Sequence, residues 1–341
     1  MGPKYGAIAA GAWIAACLLA AHPAVAQETD AAADWPAITA AAKQEGKLTV
    51  YGAGVVLRGL VERFKAETGI AAQMLEGRTT EVRERVRTEQ ASGNVIADVL
   101  SNGAVTSTNM MREGRFVAHG PLPAAGKIAA PFRDDGILLP YTANVFAILA
   151  NSKLVPPQDE PKSWRDLADP KWKGRMLLDE PHVGGTGYVF FAVTYEKLGR
   201  AYQEAVAAQQ PTIVADSALA NRRVALGEFP LYVGFSFQDW HGLKGLPVRV
   251  VIPEEGALYS TLNAAVVKGA PHPNAARLFL NFLVDDAAQR LVTALGSRST
   301  TGTVPADAAP DVQALLGAKL WGSSNPDDQK RMNALVADIY H

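Results

Sequence analysis

Two glycine-containing loops have the composition of anion-binding sites. Residues 77–80 read Gly-Arg-Thr-Thr and residues 184–188 read Gly-Gly-Thr-Gly-Tyr, and each loop leads into a predicted helix. The first N–H groups of a helix have no partner within the helix, and the helix dipole adds positive potential there, so such loops favour carboxylates and phosphates. The Arg78 guanidinium adds a group suited to bidentate contact with either anion. Two simpler interpretations stay open: a surface salt bridge from Arg78 to Glu81 or Glu84, and an ordinary turn at 184–188.

A third glycine loop resembles a dinucleotide-binding motif but departs from its spacing. Gly52, Gly54 and Gly59 follow a predicted strand, and Glu76 ends the next strand at the distance of a ribose-binding acid. The spacing is G-x-G-x-x-x-x-G, however, and Leu57 stands where the third glycine of that motif would pack the helix against the strand. We therefore interpret the loop as a glycine turn that opens a helix beside a cleft. An exported oxidoreductase stays as an alternative.

Signatures of common hydrolytic and metal chemistry are missing from the sequence. No G-x-S-x-G, H-E-x-x-H or Walker loop occurs, and the single cysteine, Cys17, excludes a cysteine metal cluster. Residues 179–182 (Asp-Glu-Pro-His) are the only compact group of potential ligands, and a solvated loop at a strand end explains them as well. We therefore predict no enzymatic activity, no cofactor and no metal site.

Length and charge fit a globular protein with two domains. The 341 residues are 48% hydrophobic and 20% charged, and domains usually contain roughly 100–200 residues. The 33 Lys and Arg residues nearly balance 34 Asp and Glu residues, for a net charge of −1. This balance gives no electrostatic basis for binding nucleic acid or an anionic membrane.

Residues 1–26 have the pattern of a cleaved signal peptide. Lys4 precedes an apolar run from Ile8 to Ala21, and Ala-Val-Ala forms a small-x-small cleavage pattern before Gln27. The run is shorter than the roughly 20 apolar residues of a membrane-spanning helix. We therefore expect an exported protein, with lipid attachment at Cys17 as the alternative.

Hydrophobic periodicity predicts strands that alternate with helices. Leu57, Leu60, Val61 and Phe64 lie on one helical face between two predicted strands. Such an order predicts a parallel sheet, in which ligands bind beyond the carboxyl ends of the strands. The predicted strands are residues 47–51, 70–75 and 95–100 in a first α/β region and residues 175–178, 231–233, 248–252 and 264–268 further along.

Five stretches spread over the chain share the pattern of one protein family. They are residues 47–51, 64–70, 89–99, 163–175 and 265–283, of which 163–175 (SWRDLADPKWKGR) is the most specific. In these stretches the chain resembles the periplasmic solute-binding proteins of bacterial ABC importers, in the group that includes the ferric-ion-binding proteins.

The resemblance implies an α/β, two-lobed periplasmic-binding-protein fold of type II, hinged by two crossing strands near residues 144–147 and 253–256. Lobe one would comprise residues 27–146 plus 254–304, and lobe two residues 147–253 plus 305–341. It also implies a periplasmic monomer that closes on a small-molecule ligand and docks on an inner-membrane permease with its ATPase. Nucleic acid is not an expected partner.

The sequence departs from the ferric-binding pattern at its metal ligands. Phe235 and Ser236 stand where those relatives carry adjacent tyrosines, and Asn102 lies near the position of their acidic ligand. The loop that holds the companion anion in those relatives aligns with residues 186–188, and an adjoining position with residues 216–217. The predicted ligand-binding residues are Gly54, Arg78, Thr79, Thr80, Asn102, Tyr141, Thr186, Gly187, Tyr188, Asp216, Ser217, Phe235, Ser236 and Tyr259.

The leading hypothesis is therefore capture of a small anionic or zwitterionic solute, such as an organic acid, phosphonate or phosphate ester. Arg78 and the helix N-termini would hold the acid group, and the aromatic residues Tyr141, Phe235 and Tyr259 would form walls. Asp216 would meet an amine or a sugar hydroxyl, although a helix N-cap explains it equally well. The alternatives are a metal ion held by a non-standard oxygen set, the exported oxidoreductase, and a sensor whose closed form docks on a receptor.

Overall fold

The protein is described here by a computed structural model that covers residues 1–2, 34–182 and 185–340. Residues 3–26 of the predicted signal peptide, which include Cys17, and Gly184 of the second glycine loop lie outside the described residues. The described chain forms helices α1 (Trp35–Glu45), α2 (Val55–Thr68), α3 (Thr79–Ser92), α4 (Ala104–Arg112), α5 (Thr186–Leu198), α6 (Arg200–Ala207), α7 (Ser217–Ala225), α8 (Pro273–Leu283), α9 (Asp286–Ala294), α10 (Pro310–Gly317) and α11 (Gln329–Ile339).

The strands of the described residues join one mixed sheet. Its main path runs β2-β1-β3-β10-β5-β8-β6-β7, with the four other strands attached to β5 or β10. The strands are β1 (Lys47–Gly52), β2 (Ala71–Glu76), β3 (Val99–Gly103), β4 (Phe116–Val117), β5 (Leu139–Asn151), β6 (Met176–Asp179), β7 (Thr212–Val214), β8 (Leu231–Ser236), β9 (Val248–Val251), β10 (Ala257–Val267), β11 (Arg298–Ser299) and β12 (Leu320–Gly322).

The two ends of this sheet form two lobes, each with its own core. The first lobe is built on β1, β2 and β3, whose pairings are parallel. Its apolar α2 face includes Leu60 and Phe64, and the Phe64 ring packs edge-on against Phe279 and Phe282 of α8, at centroid distances of 5.1 and 5.5 Å. The parallel arrangement predicted for this region is confirmed.

The second lobe is built on β6, β7 and β8, which are also parallel. Its core surrounds the fully buried Trp164, whose indole N–H donates to the backbone oxygen of Gly256 at 2.9 Å. Ser163 caps the short 3-10 helix that carries this tryptophan. Helix α11 packs on α5 through Met332, Val336 and Ile339, so the end of the described chain completes this lobe.

Two long strands, β5 and β10, run between the lobes and pair with each other in antiparallel register. β5 pairs with β10 over residues 139–146 and then with β8 and β9 over residues 146–151. Of these two strands the sequence predicted only the end of β10, at residues 264–268, and no strand at the position of β5. The crossing predicted near residues 144–147 lies within β5, in agreement with this pairing. The crossing predicted near residues 253–256 lies just before β10, which begins at Ala257. The predicted lobe boundaries are not tested by this pairing and stay a prediction.

Within the described residues no helix is both long and apolar enough to cross a membrane.

Candidate functional site

A cavity of about 680 Å³ lies between the two lobes, beyond the carboxyl ends of the parallel strands. β1 reaches it through Gly52, β3 through Asn102 and Gly103, and β8 through Ser236. The crossing strands β5 and β10 form its floor with Asn144, Phe146, Ser260 and Leu262. The cavity therefore has the location predicted for a ligand in a parallel α/β sheet.

Two helices of the first lobe begin at this cavity with their first N–H groups available to a ligand. Helix α3 places Thr79 and Thr80 on the lining, and helix α4 places Ala104, Val105 and Thr106 there. The carboxylate of Glu81 accepts from the Arg78 N–H at 3.1 Å, which fixes the entry into α3. Two helix N-termini thus direct positive potential into one space.

Helix α5 of the second lobe also begins at the cavity, but a carboxylate already occupies its first turn. Asp179 accepts from the Thr186 hydroxyl at 2.7 Å, the Gly187 N–H at 2.9 Å and the Tyr232 hydroxyl at 3.2 Å. The pKa of Tyr232 is raised, mainly because the phenol is buried and secondly because of the nearby Asp179 charge. The phenol therefore stays protonated and donates its hydrogen. The negative charge of Asp179 offsets much of the positive potential at this helix end.

Two buried donors of the lining have no hydrogen-bond partner among the described residues. They are the side-chain nitrogen of Asn102, a residue that is 5% exposed, and the hydroxyl of Tyr188, which is 3% exposed. The Asn102 side-chain oxygen accepts from the Gly103 N–H at 3.0 Å, which orients the amide. Burial raises the Tyr188 pKa, with a further contribution from Asp328, so the phenol is protonated at neutral pH. An unpaired buried donor costs about 1–3 kcal/mol, a cost that a bound acceptor would remove.

The charged side chain on the described lining is Arg83 of α3, one turn inside the helix. Its Nε donates to Glu84 at 3.0 Å, which leaves the other guanidinium donors for a ligand. Neither a carboxylate nor an imidazole lines the cavity among the described residues, and these residues hold no cluster of three potential metal ligands.

Six predicted site residues come together on this cavity. They lie at the start of α3 and on β3 of the first lobe, and on α5 and β8 of the second lobe. They are Thr79, Thr80, Asn102, Thr186, Tyr188 and Ser236. Their role in binding stays a prediction.

Three other predicted residues adjoin the cavity without lining it. Arg78 is exposed at the start of α3, and it makes none of the described salt bridges, so the alternative of a salt bridge to Glu81 or Glu84 is not seen, while its contact with an anion stays a prediction. Gly54 begins α2 at a φ of 99° and donates to Glu76 at 3.4 Å. Gly187 is buried behind the lining, where its backbone packs so closely against the Asp179 carbonyl that a Cβ would overlap it.

The three aromatic residues predicted as walls do not line this cavity, because each side chain packs elsewhere. Tyr141 is fully buried behind the lining, where its hydroxyl contacts the Ser101 hydroxyl at 2.8 Å and burial raises its pKa to about 12. Phe235 is fully buried in the core of the second lobe. Tyr259 packs edge-on against Phe132 at 5.6 Å and lines a separate, smaller cavity. Neighbouring residues of β10 point to opposite faces of the strand, so Ser260 takes the place expected for Tyr259.

Asp216 and Ser217, which were also predicted to bind the solute, lie away from this cavity. Both residues are exposed and neither lines the cavity. Asp216 is the N-cap of α7, where its carboxylate accepts from the Leu219 N–H at 3.0 Å. The N-cap interpretation that the sequence left open is the correct one.

Sequence reasoning missed α4, Arg83, the floor residues of the crossing strands, and Ser324 and Gln329 beside α11. Asn102-Gly103 before a helix-compatible stretch is a signal that could have revealed α4, since asparagine and glycine are common at helix starts. Arg83 lies one turn after Thr79, so it shares the cavity face of the helix. Ser324 and Gln329 reach the site only through the tertiary fold.

Comparisons with known proteins agree with this architecture. Residues 95–319 match the sequence profile of the family described as bacterial extracellular solute-binding protein. A putative 2-aminoethylphosphonate-binding periplasmic protein of Salmonella typhimurium is 26% identical over 294 residues, which cover 78% of this chain and 81% of the relative. Iron uptake protein A1 of Synechocystis sp. is 32% identical over 126 residues, 35% of this chain. The chain spans 40% and 33% of the length of the first two curated relatives it matches.

Solved structures share the fold at low sequence identity. Iron-bound HitA from Pseudomonas aeruginosa superposes with a TM-score of 0.70 at 21% identity, over 86% of this chain and 99% of that protein. AfuA from Actinobacillus pleuropneumoniae, with fructose-6-phosphate bound, gives a TM-score of 0.64 at 19% identity, over 86% and 98%. The protein therefore has the two-lobed type II fold of periplasmic binding proteins. The profile match places it in a family: this chain belongs to the bacterial extracellular solute-binding proteins.

Proposed function

We propose that this chain is the solute-binding component of an ABC importer and that it captures a small anionic or zwitterionic solute between its lobes. In this proposal lobe one comprises residues 27–146 plus 254–304, and lobe two residues 147–253 plus 305–341. Residues 1–26 direct export to the periplasm. The protein acts as a monomer without enzymatic activity, and the inner-membrane permease with its ATPase recognises the closed form.

The observation that carries the proposal is the convergence of helix N-termini on one cavity between the lobes. Helices α3 and α4 present unpaired N–H groups from one side, and α5 begins on the other. Arg83 adds a formal positive charge, while the described lining carries no formal negative charge. A solute with an acid group satisfies these donors, and closing the lobes over it removes the group from water.

The cavity lining argues against ferric iron as the solute. Ferric iron is a hard cation that requires anionic oxygen ligands. Tyr188 is the only phenol on the described lining, and Arg83 would repel a trivalent cation. The sequence departures at Asn102, Phe235 and Ser236 lead to the same conclusion.

A thermal-unfolding screen tests the proposal. The protein is unfolded and refolded to remove bound solutes, and is then heated with organic acids, phosphonates, phosphate esters, neutral sugars and ferric citrate. A ligand at 100 times its Kd stabilises the folded state by about 2.7 kcal/mol. We expect an increase in Tm with at least one anion and none with its neutral parent, for example with fructose 6-phosphate and not with fructose.

Two results would contradict the proposal. A shift with ferric citrate and not with citrate would assign the cavity to a metal. No shift with any anion of the panel would remove solute capture by this cavity.

A further inference from the structure

The cavity lining offers more strong hydrogen-bond donors than strong acceptors. Helix N–H groups, the Arg83 guanidinium, the Asn102 amide and the Tyr188 hydroxyl all donate. Formal negative charge is missing from the described lining, so acceptors come only from hydroxyls, side-chain amide oxygens and backbone carbonyls. A bound ammonium group would have to give up water without gaining an anionic partner, which is unfavourable.

Each acidic residue near the cavity already has a partner of its own. Glu76 pairs with Arg58, and Glu84 accepts from Arg83 and Arg87. Asp328 accepts from Asn325 at 3.0 Å and pairs with Arg331. The remaining two are Glu81, which accepts from the Arg78 N–H, and Asp179, which accepts three hydrogen bonds at the start of α5. Each of these carboxylates is already bound to a cation or a hydrogen-bond donor of the protein, so an ammonium group of a solute would have to compete for it.

Two buried unpaired donors show where the acid group of a solute would be held. The Asn102 nitrogen lies at the start of α4. Tyr188 lies in the first turn of α5 on the opposite wall, where its side chain packs with Met332 and Val336 of α11. Asn102 and Tyr188 are 5% and 3% exposed, so water reaches them poorly. The starts of α3 and α4, the Arg83 guanidinium and the Asn102 amide offer more donors than a planar carboxylate with two oxygens can satisfy, and they match a tetrahedral group with three terminal oxygens better.

We infer that the solute carries a phosphate or phosphonate group on a hydroxyl-bearing skeleton without an ammonium group. This inference rests on the proposed function and narrows it. The hydroxyls of Ser236 and Ser260 line the rest of the cavity and both donate and accept, as sugar-like hydroxyls require. The amide of Asn144 lies beside them, and its oxygen already accepts from Gln238 at 2.7 Å. The relative named for 2-aminoethylphosphonate would thus differ from this chain in the solute it selects.

The test uses pairs of solutes that differ only in the group of interest. Titration calorimetry of the refolded full chain compares 2-hydroxyethylphosphonate with 2-aminoethylphosphonate, and glucose 6-phosphate with glucosamine 6-phosphate. Malate and citrate serve as carboxylate counterparts. We expect the hydroxyl member to bind at least tenfold more tightly than the amine member, and more tightly than either carboxylate.

A matched pair of variants tests the role of Asn102. Asn102→Asp keeps an oxygen to accept from the Gly103 N–H but replaces the unpaired nitrogen with a negatively charged oxygen. We expect it to weaken binding of the phosphonate or phosphate at least tenfold and to reduce the discrimination against the amine. Asn94→Asp makes the same charge change at an exposed position of the first lobe and should change the Kd less than twofold.

The outcomes separate this inference from the proposed function. Equal or tighter binding of the amine members would overturn the inference and leave solute capture standing, as would tighter binding of malate or citrate. Equal effects of Asn102→Asp and Asn94→Asp would remove Asn102 from recognition and overturn the argument from unpaired donors. The wild-type solute pairs decide the charge question even if Asn102→Asp does not fold. Failure of every anion in both panels would contradict the proposed function itself.

Discussion

The two walls of the cavity are built on the same plan but differ in charge. In each lobe a parallel strand ends at the cavity and a helix begins there. In the first lobe, α3 and α4 leave their first N–H groups open and Arg83 adds a positive charge. In the second lobe, Asp179 fills the first turn of α5 with a carboxylate. We infer that the first lobe provides most of the attraction for an anion and that the second lobe mainly encloses it.

This difference shows that a glycine loop before a helix does not by itself make an anion site. The Gly-Gly-Thr-Gly-Tyr loop is the more glycine-rich of the two candidates. Its Gly187, however, is required by close packing against the backbone of Asp179 and does not open the loop to a ligand. The loop at residues 77–80 has one glycine, and its helix start is open to the cavity. What decides the outcome is whether another group of the protein already accepts from the free N–H groups.

The largest expected effect comes from a side chain at Gly187. In Gly187→Ala the new Cβ would overlap the Asp179 carbonyl, so either β6 or α5 must shift. We expect a loss of about 3 kcal/mol in the free energy of unfolding, at the upper end for overpacking. Urea denaturation measures it. Gly103→Ala is the control, since Gly103 has a φ of −62° and its Cβ would meet nothing within 4 Å. Equal stability of the two variants would contradict the packing role of Gly187.

The next effect is on affinity and compares two arginines of the same helix start. Arg83→Gln removes the cation on the lining and should weaken anion binding by about 1.5–3 kcal/mol, roughly 10- to 150-fold. Arg78→Gln removes an exposed cation that does not line the cavity and should change the Kd only a few fold through long-range attraction. Calorimetry with the anion that gives the largest Tm shift measures both. A larger loss for Arg78→Gln would restore the contact predicted from the sequence and contradict the structure.

Removing the negative charge of Asp179, which distinguishes the second-lobe wall from the first, should strengthen anion binding. Asp179→Asn keeps an acceptor for Thr186 or Gly187 but removes the negative charge at the start of α5. We expect affinity for the anion to rise by about 0.3–1 kcal/mol, the usual size of a charge effect at a helix end. The gain should shrink as salt is added. Unchanged or weaker binding at low salt would mean that Asp179 does not offset the potential of this wall.

The smallest expected effect concerns an ion pair between the lobes. Arg112 at the end of α4 pairs with Asp327 before α11, and both side chains are at least half exposed. Exposed pairs contribute about 0–1 kcal/mol. Arg112→Gln should therefore change the Kd less than roughly fivefold, with the change lost at high salt. A tenfold change would show that this pair controls closure of the lobes.

The sequence predicted most elements of the first lobe because their signals are local. The apolar face of α2 and the left-handed glycines that end α1 and α2, Gly46 and Gly69, depend on neighbouring residues only. The third strand was placed too early: residues 95–98 are irregular, and β3 begins at Val99. There Asp98 is fully buried and accepts from the Thr49 N–H at 2.7 Å, a tertiary contact that periodicity does not reveal.

The site was predictable where it follows strand ends and not where it depends on side-chain direction. Thr79, Thr80 and Asn102 lie at strand or helix ends, so their place on the cavity followed from the fold class. Tyr141 is predicted as an aromatic wall of the cleft and Phe235 from its alignment with the iron-binding tyrosines of the resembling family, but each side chain is buried in the core. A shift of one residue along a strand reverses the face of the side chain, so position alone cannot make that choice.

The most direct test of the central claim is a backbone amide NMR titration of the refolded protein with inorganic phosphate, a minimal tetrahedral anion. If the first lobe provides the attraction, the largest shifts will fall on the amides of residues 79–80 and 104–106. Smaller shifts are expected at residues 186–188, where Asp179 occupies the helix start. Shifts centred on residues 186–188, or no shifts in either region at millimolar phosphate, would contradict the account.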